Sequence, residues 1–173
     1  MKGDFCMKMI IHDLDPAVFN ALMLQVTQDT IVLTDNGHMK PCIGCFGCWI
    51  KTPGICVRKD GYENLGKMLS QCDEVTIISK CIYGSYSPFI RNVLDRSIPY
   101  LLPYFTSKNG ETHHQRRYNH SFAFTVHFYG KDLTEAERET AKELVAANGV
   151  NFYSSKEKVF FYDRMESMKG ALG

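Results

Sequence analysis

Cys42, Cys45, Cys48 and Cys56 place four thiols within fifteen residues in a C-x2-C-x2-C-x7-C pattern. Thiols so close together act as metal or cluster ligands, as disulfide partners, or as small buried side chains. A structural zinc site usually pairs two C-x2-C knuckles about a dozen or more residues apart. Here three thiols fall inside seven residues, which suits three corners of a cubane [4Fe–4S] cluster. Gly44, Gly47 and Gly54 allow the tight turns that a bulky inorganic core requires, and Pro41 and Pro53 stiffen the flanks. Lys40, Lys51, Arg58 and Lys59 bring positive charge near thiolates that must be ionised to bind. The spacing favours a cluster, with zinc or an unmetallated set of thiols as the alternatives. Cys6, Cys72 and Cys81 stand apart and read as small buried hydrophobes.

Seven cysteines, an odd count, fit a disulfide framework poorly. Asp4, Lys8 and Asp13 interrupt the opening stretch, so it does not read as a signal peptide, and no segment approaches a membrane span. The expected setting is cytoplasmic, where thiols stay reduced. A net charge of +1 gives no electrostatic reason to invoke nucleic acid or an anionic membrane.

The elements that must position the cysteines alternate along the chain. Lys8–His12, Thr30–Thr34, Glu74–Ser79, Ser121–Phe128 and Lys158–Tyr162 read as apolar or β-branched strands. Helices are expected over Asp15–Gln28, over Tyr62–Gln71, from Ser87-Pro88 with Ile90, Val93, Leu94 and Ile98 turned inward, and from a Thr134/Glu137 capping box to about Ala147. Pro99 and Pro103 should bend or end the third helix. The 173 residues suit a single domain spanning 1–173, with a cysteine loop at 40–60 and a polar, aromatic-rich insertion at 103–120.

Strands alternating with helices imply an α/β three-layer sandwich around a five-stranded parallel sheet, of which the compact version is the flavodoxin-like order 2-1-3-4-5. The ligand crevice of such a sheet lies at the carboxyl ends of strands one and three. The loops Asp13–Pro16 and Lys80–Ser87 should meet there, and the cysteine loop is expected to open on the same edge.

The stretches KPCIGCFGCWIKTPGICVRKDG and EVTIISKCIYGSYSPFIRNVLDR resemble the NADPH-dependent FMN reductase branch of the flavodoxin-like superfamily, and within it the iron–sulfur flavoproteins. The resemblance spans about Lys40 to Arg96. It implies an oligomeric electron-transfer flavoprotein with FMN in the crevice and a [4Fe–4S] cluster nearby. It assigns the isoalloxazine contact to Cys81, Ile82, Tyr83, Gly84, Ser85, Tyr86 and Ser87. NAD(P)H would be a source of hydride for the flavin, and a nicotinamide or protein donor and a further acceptor would be the partners, alongside a second copy of the chain.

Two positions depart from that pattern. Cys81 stands where the family usually has proline, and Ile11-His12-Asp13-Leu14-Asp15-Pro16 replaces the family's Gly/Ser-rich phosphate loop. Asp15 is placed to cap the helix itself, Pro16 offers no N–H, and Asp13 adds a second negative charge, so the usual phosphate site should be missing. Asp95-Arg96 reads as a structural ion pair joining the third helix to neighbouring elements or to another subunit. His113, His114, Arg116, Arg117 and His120 read as a solvated or subunit-contacting group, with arginine grip on a phosphate as the alternative. The expected function is a flavodoxin-like NAD(P)H-dependent FMN oxidoreductase or electron-transfer protein. Its rival is a non-enzymatic relative that has lost flavin and uses the cysteines as a metal staple.

Overall fold

The computed structural model describes residues 7–22 and 26–170. In chain order the first half comprises β1 (Lys8–His12), α1 (Pro16–Leu22), β2 (Thr30–Thr34), α2 (Gly47–Ile50), α3 (Leu65–Leu69) and β3 (Glu74–Lys80). The second half comprises α4 (Pro88–Arg96), β4 (Leu101–Lys108), β5 (Glu111–Arg116), β6 (Ala123–Tyr129), α5 (Glu135–Phe152) and β7 (Lys156–Tyr162). Short 3-10 turns cover Ile98–Tyr100 and Met165–Met168.

Five strands form one parallel sheet in the order β2-β1-β3-β6-β7. Counting only the sheet's own strands, this is the flavodoxin-like order 2-1-3-4-5. Met9, Val75 and Phe124 lie side by side across the sheet, as do Ile11, Ile77 and Val126. All six are buried on one face, against Leu65 and Leu69 of α3, Ile90 and Val93 of α4, and Ala141 and Val145 of α5. The pleat sends Ile78 to the opposite face, where it meets Leu14, Phe19, Leu22 and the fully buried Met168. Burial on both faces is why these strands are so uniformly apolar.

The insertion is more ordered than its polar composition predicts. β4 and β5 form an antiparallel hairpin joined at Asn109-Gly110, both residues having positive φ (54° and 83°). An Asn-Gly pair with that backbone is the preferred two-residue hairpin turn. Pro103 removes one ladder N–H, and the strand register shifts between Leu101 and Phe105.

Helix ends also differ from expectation. The described part of the first helix is α1, Val26 is nearly half exposed, and residues 23–25 lie outside the described set. α3 starts at Leu65, because the residues before it are taken up in turns: Gly61 N–H donates to Glu63 Oε2 and Tyr62 Oη to the Thr34 carbonyl. The capping box at Thr134 and Glu137 is present, and α5 runs on to Phe152. Among the described residues no helix is long and apolar enough to cross a membrane.

Candidate functional site

The carboxyl ends of β1, β3 and β6 are joined by a carboxylate. Asp13 Oδ2 accepts the Lys80 N–H at 2.9 Å, and Asp13 Oδ1 accepts the Tyr129 hydroxyl at 3.1 Å. Burial, and then the neighbouring Asp13 charge, push the Tyr129 phenol well above its ordinary pKa, so it stays a donor to that carboxylate. Asp15 Oδ1 accepts the Ala17 N–H at 2.8 Å and so caps α1 from within. Leu14 is buried against Met168 in the same region.

An FMN phosphate does not fit there. Its usual N–H donors are spoken for by Asp15 or absent at Pro16, and a dianion would face two carboxylates.

The loop after β3 divides its expected ligand residues. Cys81 and Tyr86 are buried, with the Tyr86 ring 5.2 Å from Phe128, which makes Tyr86 a core residue. Ile82 and Ser85 close a tight turn on each other, and Gly84 is packed so closely on Thr140 of α5 that a Cβ would lie 2.8 Å away. Ser87 occupies the N-cap position of α4; its N–H donates to Ser79 Oγ, while its own hydroxyl makes no cap bond. Only Tyr83 stands out, 87% exposed with positive φ.

The cysteine loop does not join this edge. It leaves β2 and runs back along the helical layer, and its four cysteines line a cavity of about 490 Å3 together with Arg96 at the end of α4 and Phe152 at the end of α5. Crossover helices run antiparallel to the strands they connect, so this cavity lies at the edge opposite the crevice. The expectation that three loops converge on one crevice is therefore corrected: two do, and the third forms a separate site.

The loop's path is set by its backbone. Gly44 and Gly54 take positive φ (62° and 87°), the first directly between Cys42 and Cys45. Phe46 is also left-handed (φ 54°), a conformation costing roughly 1–2 kcal/mol outside glycine. The single turn α2 then carries Cys48 inward. The Cys56 N–H donates to the Glu63 carbonyl, and Trp49 Nε1 donates to the Leu101 carbonyl, which ties the loop to the hairpin.

At the base, Arg96 Nη1 donates to Asp60 Oδ2 at 2.5 Å and to the Lys40 carbonyl at 3.0 Å, while Nη2 reaches the Arg58 carbonyl at 3.3 Å. Arg96 thus pairs with Asp60 and not with the adjacent Asp95. Burial opposes the Asp60 charge, yet hydrogen bonds from Arg96 and from the Lys40 and Tyr62 N–H groups hold its pKa at about 2.

All four thiols are free: Cys42 and Cys45 are exposed, Cys48 is buried and Cys56 is half-buried. Burial raises the Cys48 thiol pKa, and the nearby Cys56, Cys42 and Cys45 raise it further, so the four share one electrostatic neighbourhood. Among the described residues no three Cys, His, Asp or Glu side chains converge as a single bound ion requires. All four cysteines nevertheless line one cavity, and four thiols are the donor set that a [4Fe–4S] cluster takes. Three residues of the wall each carry a buried nitrogen with no hydrogen-bond partner: Arg58 Nε, Arg96 Nε and His114 Nδ1. Cys72 and Cys81 are buried as expected, whereas Cys6 lies outside the described residues.

The His/Arg group in the insertion is mostly engaged within the fold. Arg116 sits over the Tyr153 ring, Arg117 Nε donates to the Pro99 carbonyl, and His120 Nε2 meets the Cys72 carbonyl. Phe46, Trp49, His114 and Phe105 form a ladder of ring contacts from the cysteine loop to the hairpin. The role of His114 in the cavity wall was not legible in the sequence, because only the hairpin register brings it to Trp49.

No protein-family model matches the sequence, and no curated protein matches it. Solved structures do match in fold. An azoreductase from Bacillus anthracis is 10% identical over 96% of this chain and 92% of its own, with a TM-score of 0.55. General stress protein 14 of Treponema denticola, in complex with FMN, is 11% identical over 96% and 91%, with a TM-score of 0.53. An NADPH-quinone reductase from P. pentosaceus is 10% identical over 90% and 84%, with a TM-score of 0.51. At such identities the likeness establishes the flavodoxin-like fold.

Proposed function

We propose that this chain is a flavodoxin-like redox protein that holds a [4Fe–4S] cluster on Cys42, Cys45, Cys48 and Cys56. The observation that carries the reading is the single cavity lined by all four thiols and by buried, unpartnered nitrogen atoms. When bound, such a cluster supplies one-electron transfer. The chain's own residues would ligate it, neutralise its charge and, through Phe46 and Trp49, keep water from it. Free thiols suit a reducing, cytoplasmic setting.

A second reading, an NAD(P)H-dependent FMN oxidoreductase, is favoured by the FMN and NAD(P)H named for structural neighbours and by the exposed Tyr83. In that case flavin would be held through its ring by the loop after β3, without the usual phosphate grip, and a nicotinamide or protein donor would supply its electrons. The exposed Ile43, Phe46, Ile50, Tyr104 and Phe105 suit burial against a second copy of the chain.

The deciding experiment is the visible spectrum of protein purified without oxygen, with iron and sulfide assays. Broad cluster absorption with about four iron atoms per chain supports the first reading. Flavin bands support the second. A metal-bearing protein that exchanges no electrons would instead be a stapled interaction module.

A further inference from the structure

Two helices end at the cysteine cavity. α4 stops at Arg96 and α5 at Phe152, and both residues line it. Helix carboxyl ends carry partial negative charge. A cubane ligated by four thiolates is itself a dianion when oxidised and a trianion when reduced, so this location penalises the reduced form unless something offsets it.

The offset lies in the wall. Arg96 is 1% exposed, and its two terminal nitrogens are committed to Asp60, the Lys40 carbonyl and the Arg58 carbonyl. Its Nε is buried without a partner, and the guanidinium also hydrogen-bonds the Cys56 side chain, so it already reaches one of the four thiols. Arg58, two residues beyond Cys56, presents a second buried and unpartnered Nε in the same wall. A buried N–H without an acceptor is costly, and two in one cavity wall point to an acceptor that belongs there.

We infer that Arg96 and Arg58 are positioning residues for the cysteine centre, whose Nε–H groups face the cluster's sulfur atoms and hold its reduction potential up. The inference rests on the cluster reading above. One electron enters from an external one-electron reductant, with no bond made or broken at the ligands. The added negative charge is stabilised by donors already in place. Lysine keeps the charge of Arg96 but has no Nε–H in a planar fork, so the Lys variant separates donor geometry from charge.

The test is a dithionite titration, with mediators, of protein loaded with iron and sulfide without oxygen, followed by cluster absorption. Arg96→Lys and Arg58→Gln should each shift the ratio of reduced to oxidised cluster about tenfold toward oxidised at fixed potential, a fall of about 59 mV. Lys131→Gln, at a position 86% exposed in the turn after β6 and outside the cavity wall, should leave the potential unchanged. Wild-type potentials in both arginine variants overturn the inference. If Arg96→Lys does not load, Arg58→Gln decides: a lowered potential supports the donor role and an unchanged one overturns it. Wild-type protein that takes up no cluster fails the underlying reading instead, and that failure is seen before any variant is compared.

Discussion

Asp60 accepts a hydrogen bond from Arg96 and another from the Lys40 N–H, so one buried ion pair closes both ends of the cysteine loop. The two side chains are 3% and 0% exposed. Asp60→Asn should therefore cost about 3–5 kcal/mol in urea unfolding, the scale for breaking a buried pair. Because the folded-state pKa of Asp60 is lowered to about 2, its contribution is full above pH 4 and lost as pH falls from about 4 to 2. The asparagine variant should lack that part of the acid dependence, and an identical profile would refute the assignment.

His127 gives a second acid window. It is buried, it contacts the Tyr162 hydroxyl, and burial lowers its pKa to about 4. The fold holds the neutral ring, so stability is full above about pH 6.5 and falls as pH drops toward 4, by up to about 3 kcal/mol. His127→Gln should flatten stability between pH 6.5 and 4 in chemical denaturation. An unchanged slope there would show that other groups dominate.

Flavin binding should show little use of phosphate. A phosphate held by N–H groups gains about 1.5–3 kcal/mol per charge-assisted bond, and Asp15 occupies the terminus that would supply them. FMN and riboflavin should bind weakly and within tenfold of each other, and Tyr83→Ala should weaken both. FMN binding a hundredfold tighter, about 2.7 kcal/mol, would reveal a phosphate site elsewhere.

Self-association should depend on the exposed apolar residues of the loop and hairpin. Wild-type protein should sediment as an oligomer at micromolar concentration. Ile50→Asp with Tyr104→Asp should shift it to monomer without lowering the thermal midpoint, since these residues are 77% and 65% exposed. Monomeric wild-type protein would exclude this surface as a self-contact.

What the sequence disclosed was mostly local. β-branched runs such as TIVLT marked buried strands, Thr134 and Glu137 marked a helix start, and Asp15-Pro16 marked a terminus closed to phosphate. Asn109-Gly110 carried a hairpin signal that the surrounding polar residues obscured. Pairings across the fold were not readable: Arg96 meets Asp60 across 36 residues, and Asp13 meets Tyr129 across 116. The cysteine spacing disclosed a compact group of thiols but not its location, because the loop's course depends on Arg96 and Trp49 anchoring it to the ends of distant elements.

The most direct test of the cluster is electron paramagnetic resonance of the iron- and sulfide-loaded protein after dithionite reduction. The account predicts a spin-half signal of about one spin per chain from a reduced [4Fe–4S] centre. It also predicts clear iron loss in Cys42→Ser, Cys45→Ser, Cys48→Ser and Cys56→Ser, but not in Cys72→Ser. A protein that binds no iron and sulfide, or that loses iron equally in all five variants, would contradict it.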